Sequence, residues 1–465
     1  MTGQDDAADT GGAARKFQVP EGVSRRVADE VDYVIRQFRA HGIAVGVVYA
    51  DGGIGYLYAE NQILVPDEYL REVVTLLWRD RDANPPAAEV ADRIAADRVE
   101  RVIAGLVLLR LDGSGYSVPE ALDLVDERLG EGIATPDHVF TVAGETSICP
   151  ATEPVPGYDG IEPTPPVCRT DAGAGVRIYA ADTGLLTNAA AGHPWLAGVN
   201  GEEDPNTPPA PTSSTPLPPI KPYSGHGTFV AGVLRCVAPA AQLHVDEVFS
   251  IAGSHLESHG IRRMVHRGLR NGVDIIHLTI AATTRKDLPP IGFAKWLELV
   301  ARYKGVVCVV AAGNSGSARP TWPAAFPQVV SVGALTADGG SRADFSNHGG
   351  WVDVYAPGWD IVNAYATGVY TCYAAPYAGQ ERTFYGMARW SGTSFATPIV
   401  TGLIAARMYR TGESGLEAAA ALLAQARAQA IPGVGAILLP TCQTAPAPAG
   451  CGCGDGRCGC GCGCQ

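Results

Sequence analysis

The amino-acid sequence predicts an α/β protein, in which a three-layer domain with a mostly parallel sheet is preceded by a small α+β domain. Two observations support this prediction. Beyond residue 175, nearly continuous apolar stretches alternate with helical segments, which is typical of parallel strands covered on both faces. Between residues 16 and 145, short strands and amphipathic helices follow one another without that regular alternation.

The N-terminal region begins with an amphipathic helix. Ser24 can cap this helix, Gly42 marks its end, and apolar residues recur between them every three or four positions, at Val27, Val31, Ile35 and Phe38. Later patterns predict strands at 43–49, 56–65, 105–111 and 138–143, and helices at 67–79 and 119–129. We therefore predict a disordered start at residues 1–15 and an α+β domain at residues 16–145.

A Pro-rich stretch separates this domain from the rest of the chain. Because proline removes backbone donors and blocks regular structure, residues 146–174 are predicted to be an exposed linker. The second domain is predicted at residues 175–440, with strands at 176–181, 242–249, 273–280, 306–312 and 329–335. A run rich in Pro, Thr and Ser at 202–222 is interpreted as a surface insertion. Residues 441–465 form a Cys/Gly-rich tail of low complexity.

The 465 residues carry a formal net charge of −13, which argues against nucleic acid or an anionic membrane as the main partner. Residues 16–145 hold 23 acidic and 13 basic residues, so most of the net charge belongs to the N-terminal domain. No apolar stretch approaches the roughly 20 residues that a membrane-spanning helix needs. The polar first residues lack the features of a secretory signal, and a cytoplasmic location is expected.

The 12 cysteines fall into two groups that need separate explanations. Five are scattered through the body of the chain, as expected of a reduced cytoplasmic protein, and seven crowd into residues 442–464. The Cys-Gly repeats of the tail could offer soft thiolates to Zn²⁺ or Cu(I). The alternatives are a redox-sensitive or modified tail and a disordered end without chemistry.

Three side chains of complementary chemistry stand where a parallel sheet exposes them, at strand ends and helix starts. Asp182 follows an apolar strand and precedes Thr-Gly, where the chain must turn. His226 lies in Ser-Gly-His-Gly-Thr, whose small residues allow the helix that begins there to pack closely. Ser394 lies in Gly-Thr-Ser-Phe-Ala-Thr-Pro at a predicted helix N-terminus, where Pro398 is tolerated in the first turn.

Peptide hydrolysis by serine needs a base, a carboxylate that fixes the tautomer of the base, and donors for the developing oxyanion. His226 and Asp182 are the candidate base and carboxylate for Ser394. Asn314, at the end of an apolar strand, is the candidate side-chain donor, and the Ser394 N–H is the second donor. Taken singly, Asp182 could simply form a turn at the end of a strand, and His226 could be a buried histidine whose hydrogen bonds are satisfied. The combination of these residues with Ser394 favours catalysis.

The four motifs around these residues resemble those of the subtilisin-like serine proteases, or subtilases. Asp-Thr-Gly, Gly-His-Gly-Thr, Ala-Ala-Gly-Asn and Gly-Thr-Ser-Phe-Ala-Thr-Pro occur in the order of that family, with gaps of 44, 88 and 80 residues between the key side chains. Supporting matches include Trp322-Pro323-Ala324 and the segment 352–358, and the resemblance covers residues 175–439. It implies a subtilisin-like fold for the second domain and catalysis by Asp182, His226 and Ser394.

The resemblance also implies a set of substrate-binding residues, of which one strand pairs with the substrate backbone. The implied residues are Leu278, Thr279, Ile280, Ala281, Ala312 and Gly313. Where the family usually has Ser-Leu-Gly-Gly, this chain has Thr-Ile-Ala-Ala, and the added methyl groups should narrow the pocket. Some subtilases bind structural calcium, but no acidic loop here demands it. Catalysis needs no metal or cofactor.

The N-terminal domain has two interpretations. Many subtilases carry an inhibitory propeptide, a small α+β domain whose C-terminal end occupies the active site until it is cleaved, and residues 16–145 resemble that arrangement. The alternative is a recognition module, since about 130 residues exceed the common propeptide length.

We therefore predict a serine endopeptidase that acts on peptides or proteins through an acyl-enzyme on Ser394. A narrower hypothesis is a dedicated intracellular processing protease. The alternative from another class is a catalytically inactive subtilase-fold protein that binds peptides in the same groove. The sequence predicts no oligomeric state.

Overall fold

The computed structural model describes residues 23–50, 53–78, 94, 97–142, 151–157, 161–168, 171–208 and 216–440. The predicted disordered start and the Cys/Gly-rich tail lie outside these residues. Within the described ranges, none of the helices combines the length and apolar character needed to cross a bilayer.

The described N-terminal domain contains the elements that its sequence pattern predicts, with one addition. Its helices are α1 (Arg25–Ala40), α2 (Leu70–Leu77) and α3 (Val118–Arg128), and its strands are β1 (Val45–Ala50), β2 (Gly53–Pro66), β3 (Val99–Ile103), β4 (Leu106–Arg110) and β5 (Thr135–Thr141). The Ser24 hydroxyl accepts the Val27 N–H at 3.3 Å and so caps α1 as predicted. The pattern analysis missed β3, whose middle residues are exposed and charged.

The second domain contains the remaining described elements. Its helices are α4 (Ala189–Gly192), α5 (His226–Val237), α6 (Glu257–Arg263), α7 (Ile291–Val300), α8 (Thr393–Thr411) and α9 (Gly415–Ala428). Its strands, together with one from the predicted linker, are β6 (Val155–Pro156), β7 (Arg177–Asp182), β8 (Asn200–Gly201), β9 (Pro219–Ile220), β10 (Gln242–Glu247), β11 (Ser254–Leu256), β12 (Ile275–Leu278), β13 (Val307–Ala311), β14 (Val330–Leu335), β15 (Val354–Pro357), β16 (Ile361–Thr371) and β17 (Glu381–Trp390).

A seven-stranded parallel sheet forms the middle layer of this domain, with strand order β15-β14-β13-β12-β7-β10-β8. One face packs against α5, α8 and α9 through a core that includes Phe229 and Phe395. The other face packs against α6 and α7 through a core that includes Ile261 and Trp296. The predicted three-layer α/β fold is confirmed, and all five predicted strands belong to this sheet.

The N-terminal domain is joined to the second domain by a shared antiparallel sheet of six strands. Its order is β11-β5-β2-β4-β3, with β1 paired to β2, so β11 of the second domain lies at one edge. Helices α2 and α3 cover one face of this sheet, around Leu109 and Leu122. The opposite face shares a core with the second domain, in which Phe140 packs on Phe293 with ring centroids 4.7 Å apart.

Three expectations from the sequence differ from the structure. The predicted linker is not simply exposed, because Glu153 is only 7% exposed and β6 is the edge strand of a third sheet, β6-β17-β16-β9. The predicted surface insertion contains the buried residues Asp204 and Ile220. Cys168 is disulfide-bonded, contrary to the expectation that the scattered cysteines are reduced.

Candidate active site

Asp182 ends β7, where the carboxyl ends of neighbouring parallel strands meet at one edge of the sheet. It is fully buried. Its Oδ1 accepts the His226 Nδ1–H at 2.7 Å and the Thr183 N–H at 2.8 Å, and its Oδ2 accepts the Thr279 hydroxyl at 2.6 Å. Burial raises the pKa of the Asp182 carboxyl, but His226 and these hydrogen bonds lower it more, so the net pKa is below its usual value.

His226 is the first residue of α5 and is also fully buried. The backbone approaches closely here, because a Cβ on Gly227 would lie 2.3 Å from the Gly184 carbonyl oxygen. The bond from Nδ1 to Asp182 fixes the ring, and leaves Nε2 as the atom that can act as a base. Nε2 is buried and has no hydrogen-bond partner among the described residues.

Ser394 lies in the first turn of α8, with its side chain buried. Its hydroxyl donates a hydrogen bond of 3.0 Å to the carbonyl oxygen of Val142, the residue after β5. The predicted nucleophile therefore contacts the C-terminal end of the N-terminal domain. The Ser394 hydroxyl is therefore directed to this carbonyl oxygen and not to His226 Nε2.

Asn314 follows β13, and its side-chain amide is held in one orientation. Its Oδ1 accepts the Thr393 N–H at 2.8 Å and the Thr393 hydroxyl at 3.0 Å. The same hydroxyl oxygen accepts the Gly313 N–H at 3.1 Å. Because Oδ1 is committed as an acceptor, the amide nitrogen is the end of the side chain that can donate to an oxyanion.

The polypeptide that approaches Ser394 is held as an extended strand between two segments of the second domain. Thr141 and Ala281 exchange backbone hydrogen bonds of 3.2 and 2.9 Å, and the Val142 N–H donates to the Gly253 carbonyl at 2.9 Å. A Cβ on Gly253 would lie 2.9 Å from a Val142 methyl group. The second domain thus holds residues 141 and 142 of its own chain by strand addition.

The implied substrate-binding residues divide into two groups. Ala281 pairs with the docked strand, and Ala312 and Gly313 lie beside Asn314 at the end of β13. The side chains of Leu278 and Ile280 are fully buried. Ala281 and Ala312 are also buried while the N-terminal strand occupies the site, so the substrate-binding role of these residues stays a prediction.

Sequence reasoning missed two contributions to the site. Thr279 is predicted to bind substrate, but its hydroxyl donates a hydrogen bond to Asp182. A hydroxyl residue next to an apolar strand does not by itself indicate such a contact in the sequence. Val142 and Gly253 form a backbone hydrogen bond although they are far apart in the sequence, and no local pattern reveals such a contact. His277 is buried with Nδ1 2.8 Å from the Thr401 hydroxyl, and burial lowers its pKa to about 4.

No group of three or more His, Cys, Asp or Glu within the described part of the chain has the arrangement of a metal site. Structural calcium and soft metal on the tail stay predictions, since the tail lies outside that part.

Comparison with known proteins identifies relatives of the second domain. The sequence model of the subtilase family matches residues 173–433. M-protease from Shouchella clausii (strain KSM-K16) is 28% identical over 246 residues, covering 50% of this chain and 54% of that relative. Thermitase from Thermoactinomyces vulgaris is 30% identical over 282 residues, covering 57% of this chain and 84% of that relative. The chain thus spans about half the length of M-protease.

The fold is also similar to a solved structure, that of fervidolysin from Fervidobacterium pennivorans, described as related to subtilisin. The TM-score is 0.53 at 20% sequence identity, and the match covers 85% of this chain and 61% of that one. Since the family model covers more than half of the chain, and the matched residues include every side chain of the site in the second domain, the chain belongs to the subtilase family.

Proposed function

We propose that this protein is a serine endopeptidase in which Asp182, His226 and Ser394 form the catalytic triad. The observation that carries the proposal is the peptide strand that ends with the Val142 carbonyl 3.0 Å from the Ser394 hydroxyl, beside the 2.7 Å bond between Asp182 and His226. The nucleophile thus contacts a peptide backbone, and the ring of the oriented base packs on Phe395, the residue after Ser394, with ring centroids 5.5 Å apart. An inactive peptide-binding protein would need the bound strand but not the Asp182–His226 pair.

The proposed reaction has two steps. Ser394 attacks the peptide carbonyl while His226 Nε2 takes its proton, and the imidazolium then gives that proton to the leaving amine. Asp182 holds the tautomer of His226 and stabilises its charge. The Asn314 amide and the Ser394 N–H at the start of α8 stabilise the oxyanion. Water then hydrolyses the acyl-enzyme by the same proton transfers in reverse.

We further propose that the N-terminal domain is an autoinhibitory propeptide and not only a recognition module. Its last described residues occupy the site that a substrate strand would use. The Val142 carbonyl oxygen accepts a hydrogen bond from the Ser394 hydroxyl, the group that would attack a substrate. Acidic residues of α3 also bind the second domain, where Asp126 pairs with Arg285 at 2.7 Å and with Lys286 at 2.8 Å. Self-cleavage is expected within two residues of Val142.

Mass spectrometry of the full chain tests both proposals. We expect wild type to show a cut within two residues of Val142, and Ser394→Ala to stay intact, with Ser341→Ala as a control that is cleaved like wild type. An intact wild type with full activity would contradict autoinhibition. Absence of a fluorophosphonate adduct on Ser394 in cleaved, folded protein would favour the inactive peptide-binding alternative.

A dedicated intracellular processing role is the narrower proposal. It is supported by the methyl groups of Ala281 and Ala282, where the family usually has glycine, and by Trp322, which exchanges two 2.9 Å backbone hydrogen bonds with Ala282. A narrowed pocket restricts the accepted side chains. In a proteome-derived peptide library, a few related cleavage sites would support this role, and broad cutting would contradict it. A cytoplasmic location stays a prediction, and the disulfide of Cys168 does not favour it.

A further inference from the structure

The segment that follows the docked strand lies beside the catalytic histidine. We call residues 151–157 the anchored segment. The Trp390 indole N–H donates to the Thr152 carbonyl at 2.6 Å. The same indole meets the His226 ring edge-on, with ring centroids 5.7 Å apart, and is only 1% exposed. The anchored segment therefore lies over a side chain that contacts the general base.

Backbone pairing holds the anchored segment to the second domain. Val155 and Pro156 pair antiparallel with Arg389 and Ala388 of β17, and the Gly157 N–H donates to β17 at 3.1 Å. These contacts involve no residue of the N-terminal domain. A cut upstream of residue 151 therefore breaks none of these contacts directly.

A buried carboxylate adds a second attachment. Glu153 is 7% exposed, and its Oε1 accepts the Tyr370 hydroxyl and the Tyr373 N–H, both at 2.9 Å. The Arg382 guanidinium donates to the Pro154 carbonyl at 2.8 Å. A buried carboxylate is costly unless it is hydrogen-bonded, so these partners favour one fixed position for Glu153.

The direction of the chain assigns the anchored segment to one side of the cleft. Thr141 and Val142 occupy the side that precedes the scissile bond. Only eight residues of sequence, 143–150, separate Val142 from Ala151. The anchored segment follows the proposed cut in sequence, and its contact with Trp390 lies next to His226, the residue proposed to protonate the leaving amine.

We propose that the anchored segment stays bound after self-cleavage and forms a wall of the leaving-group side of the cleft, where the exposed Thr152 side chain selects substrate residues that follow the scissile bond. This inference rests on the proposed endopeptidase function. It makes the new N-terminal segment of the mature enzyme part of its own substrate site.

A pair of substrates tests the specificity role in the self-cleaved full chain. Both carry the same residues before the scissile bond, but one ends in p-nitroanilide and the other continues for four residues. For Thr152→Trp we expect kcat/KM to fall about tenfold or more for the extended peptide alone, with the p-nitroanilide and fluorophosphonate rates unchanged. Tyr385→Ala, an exposed change on β17, is the control expected to alter neither rate. An equal change for both substrates, or no change, would overturn the proposal.

A cross-link tests the retention of the segment without relying on substrate turnover. Val155 and Arg389 face each other across β6 and β17, so the double variant Val155→Cys/Arg389→Cys should form a disulfide. The control variant Val155→Cys/Tyr385→Cys should not form one. The proposal requires the link in the cleaved protein. A link that forms in the uncleaved Ser394→Ala protein but not after cleavage would show that the segment leaves. If wild type shows neither fluorophosphonate labelling nor self-cleavage, the proposed function is refuted. The cross-link in Ser394→Ala does not depend on that function and would still form.

Discussion

The two domains use charged residues in different ways. In the N-terminal domain, acidic groups lie at the interface and bind basic groups of the second domain, as Asp126 binds Arg285 and Lys286. In the second domain, the key carboxylate, Asp182, is buried and orients His226. The first arrangement can hold a domain in place, and the second can position a proton acceptor. Variants of each should therefore change different measurements.

Asp182→Asn should give the largest effect, because it removes the charge that holds the His226 tautomer. We expect kcat to fall about 10⁴-fold. The affinity of the N-terminal domain should not change, since the Asp182 hydrogen bonds go to His226, Thr183 and Thr279 of the second domain. The rate of self-cleavage of the full chain, followed by mass spectrometry, measures this effect, with the exposed Asp338→Asn as control. Retained turnover in Asp182→Asn would refute the triad.

Asn314→Ala should lower kcat about 10²–10³-fold, because one oxyanion donor is lost. KM should change little, since the donor acts mainly on the transition state. Steady-state kinetics on a peptide substrate measures both values. A rise in KM at unchanged kcat would show that Asn314 binds substrate instead.

Asp126→Asn should weaken docking of the N-terminal domain about a hundredfold, because Asp126 and Arg285 are each only 8% exposed and Arg285 would lose its buried partner. The rate of fluorophosphonate labelling of Ser394 in the full chain measures the docking. Lys295→Ala is the matched control, since its pair with Glu68 is more exposed and should contribute less than about threefold. Equal effects of the two variants would contradict this account of the interface.

Thr279→Val should lower kcat about tenfold, because Asp182 loses a hydrogen bond to a charged group. Thr279→Ser keeps the hydroxyl and should retain activity. Comparing kcat for the two variants separates the hydrogen bond from the shape of the substrate wall, and a similar loss in both would favour the wall.

The smallest expected effect is a pH dependence of docking. Burial raises the pKa of Glu257 to about 8 and of Asp137 to about 6, and lowers that of His138 to about 3. The docked form thus keeps both carboxyls protonated to higher pH than the separated domains do. Docking should weaken as pH rises from about 4.5 towards 8, and His138, which gains a proton below about 6.5 only in the separated domains, should make this slope shallower between about 4.5 and 6.5.

Each titrating group should change the equilibrium constant for docking by less than about tenfold per pH unit. Labelling rates of Ser394 at several pH values measure the effect, after division by the rates of protein from which the N-terminal domain has been removed. Glu257→Gln should flatten the alkaline part of the profile. An unaltered profile in Glu257→Gln would assign the dependence to another group.

The parallel sheet and the principal site residues could be predicted from the sequence, because apolar runs such as that of β13 are continuous and the motifs lie at their ends. β6 could not be predicted, since its stability comes from β17, which lies more than 200 residues away. The same holds for the contact between Val142 and Ser394. Local patterns report which residues are buried, but not which distant strand an extended segment joins.

The sheet shared by the two domains has a consequence for what the proposed protease can cut. Once β5 departs, β11 and the backbone of Ala281 lose their strand partner, and both need an extended chain between them to restore their hydrogen bonds. A substrate must therefore present several consecutive residues in extended form. Helical segments and tightly folded domains should resist cleavage until they open locally. The backbone conformation of a target therefore limits its cleavage even where its side chains fit the site.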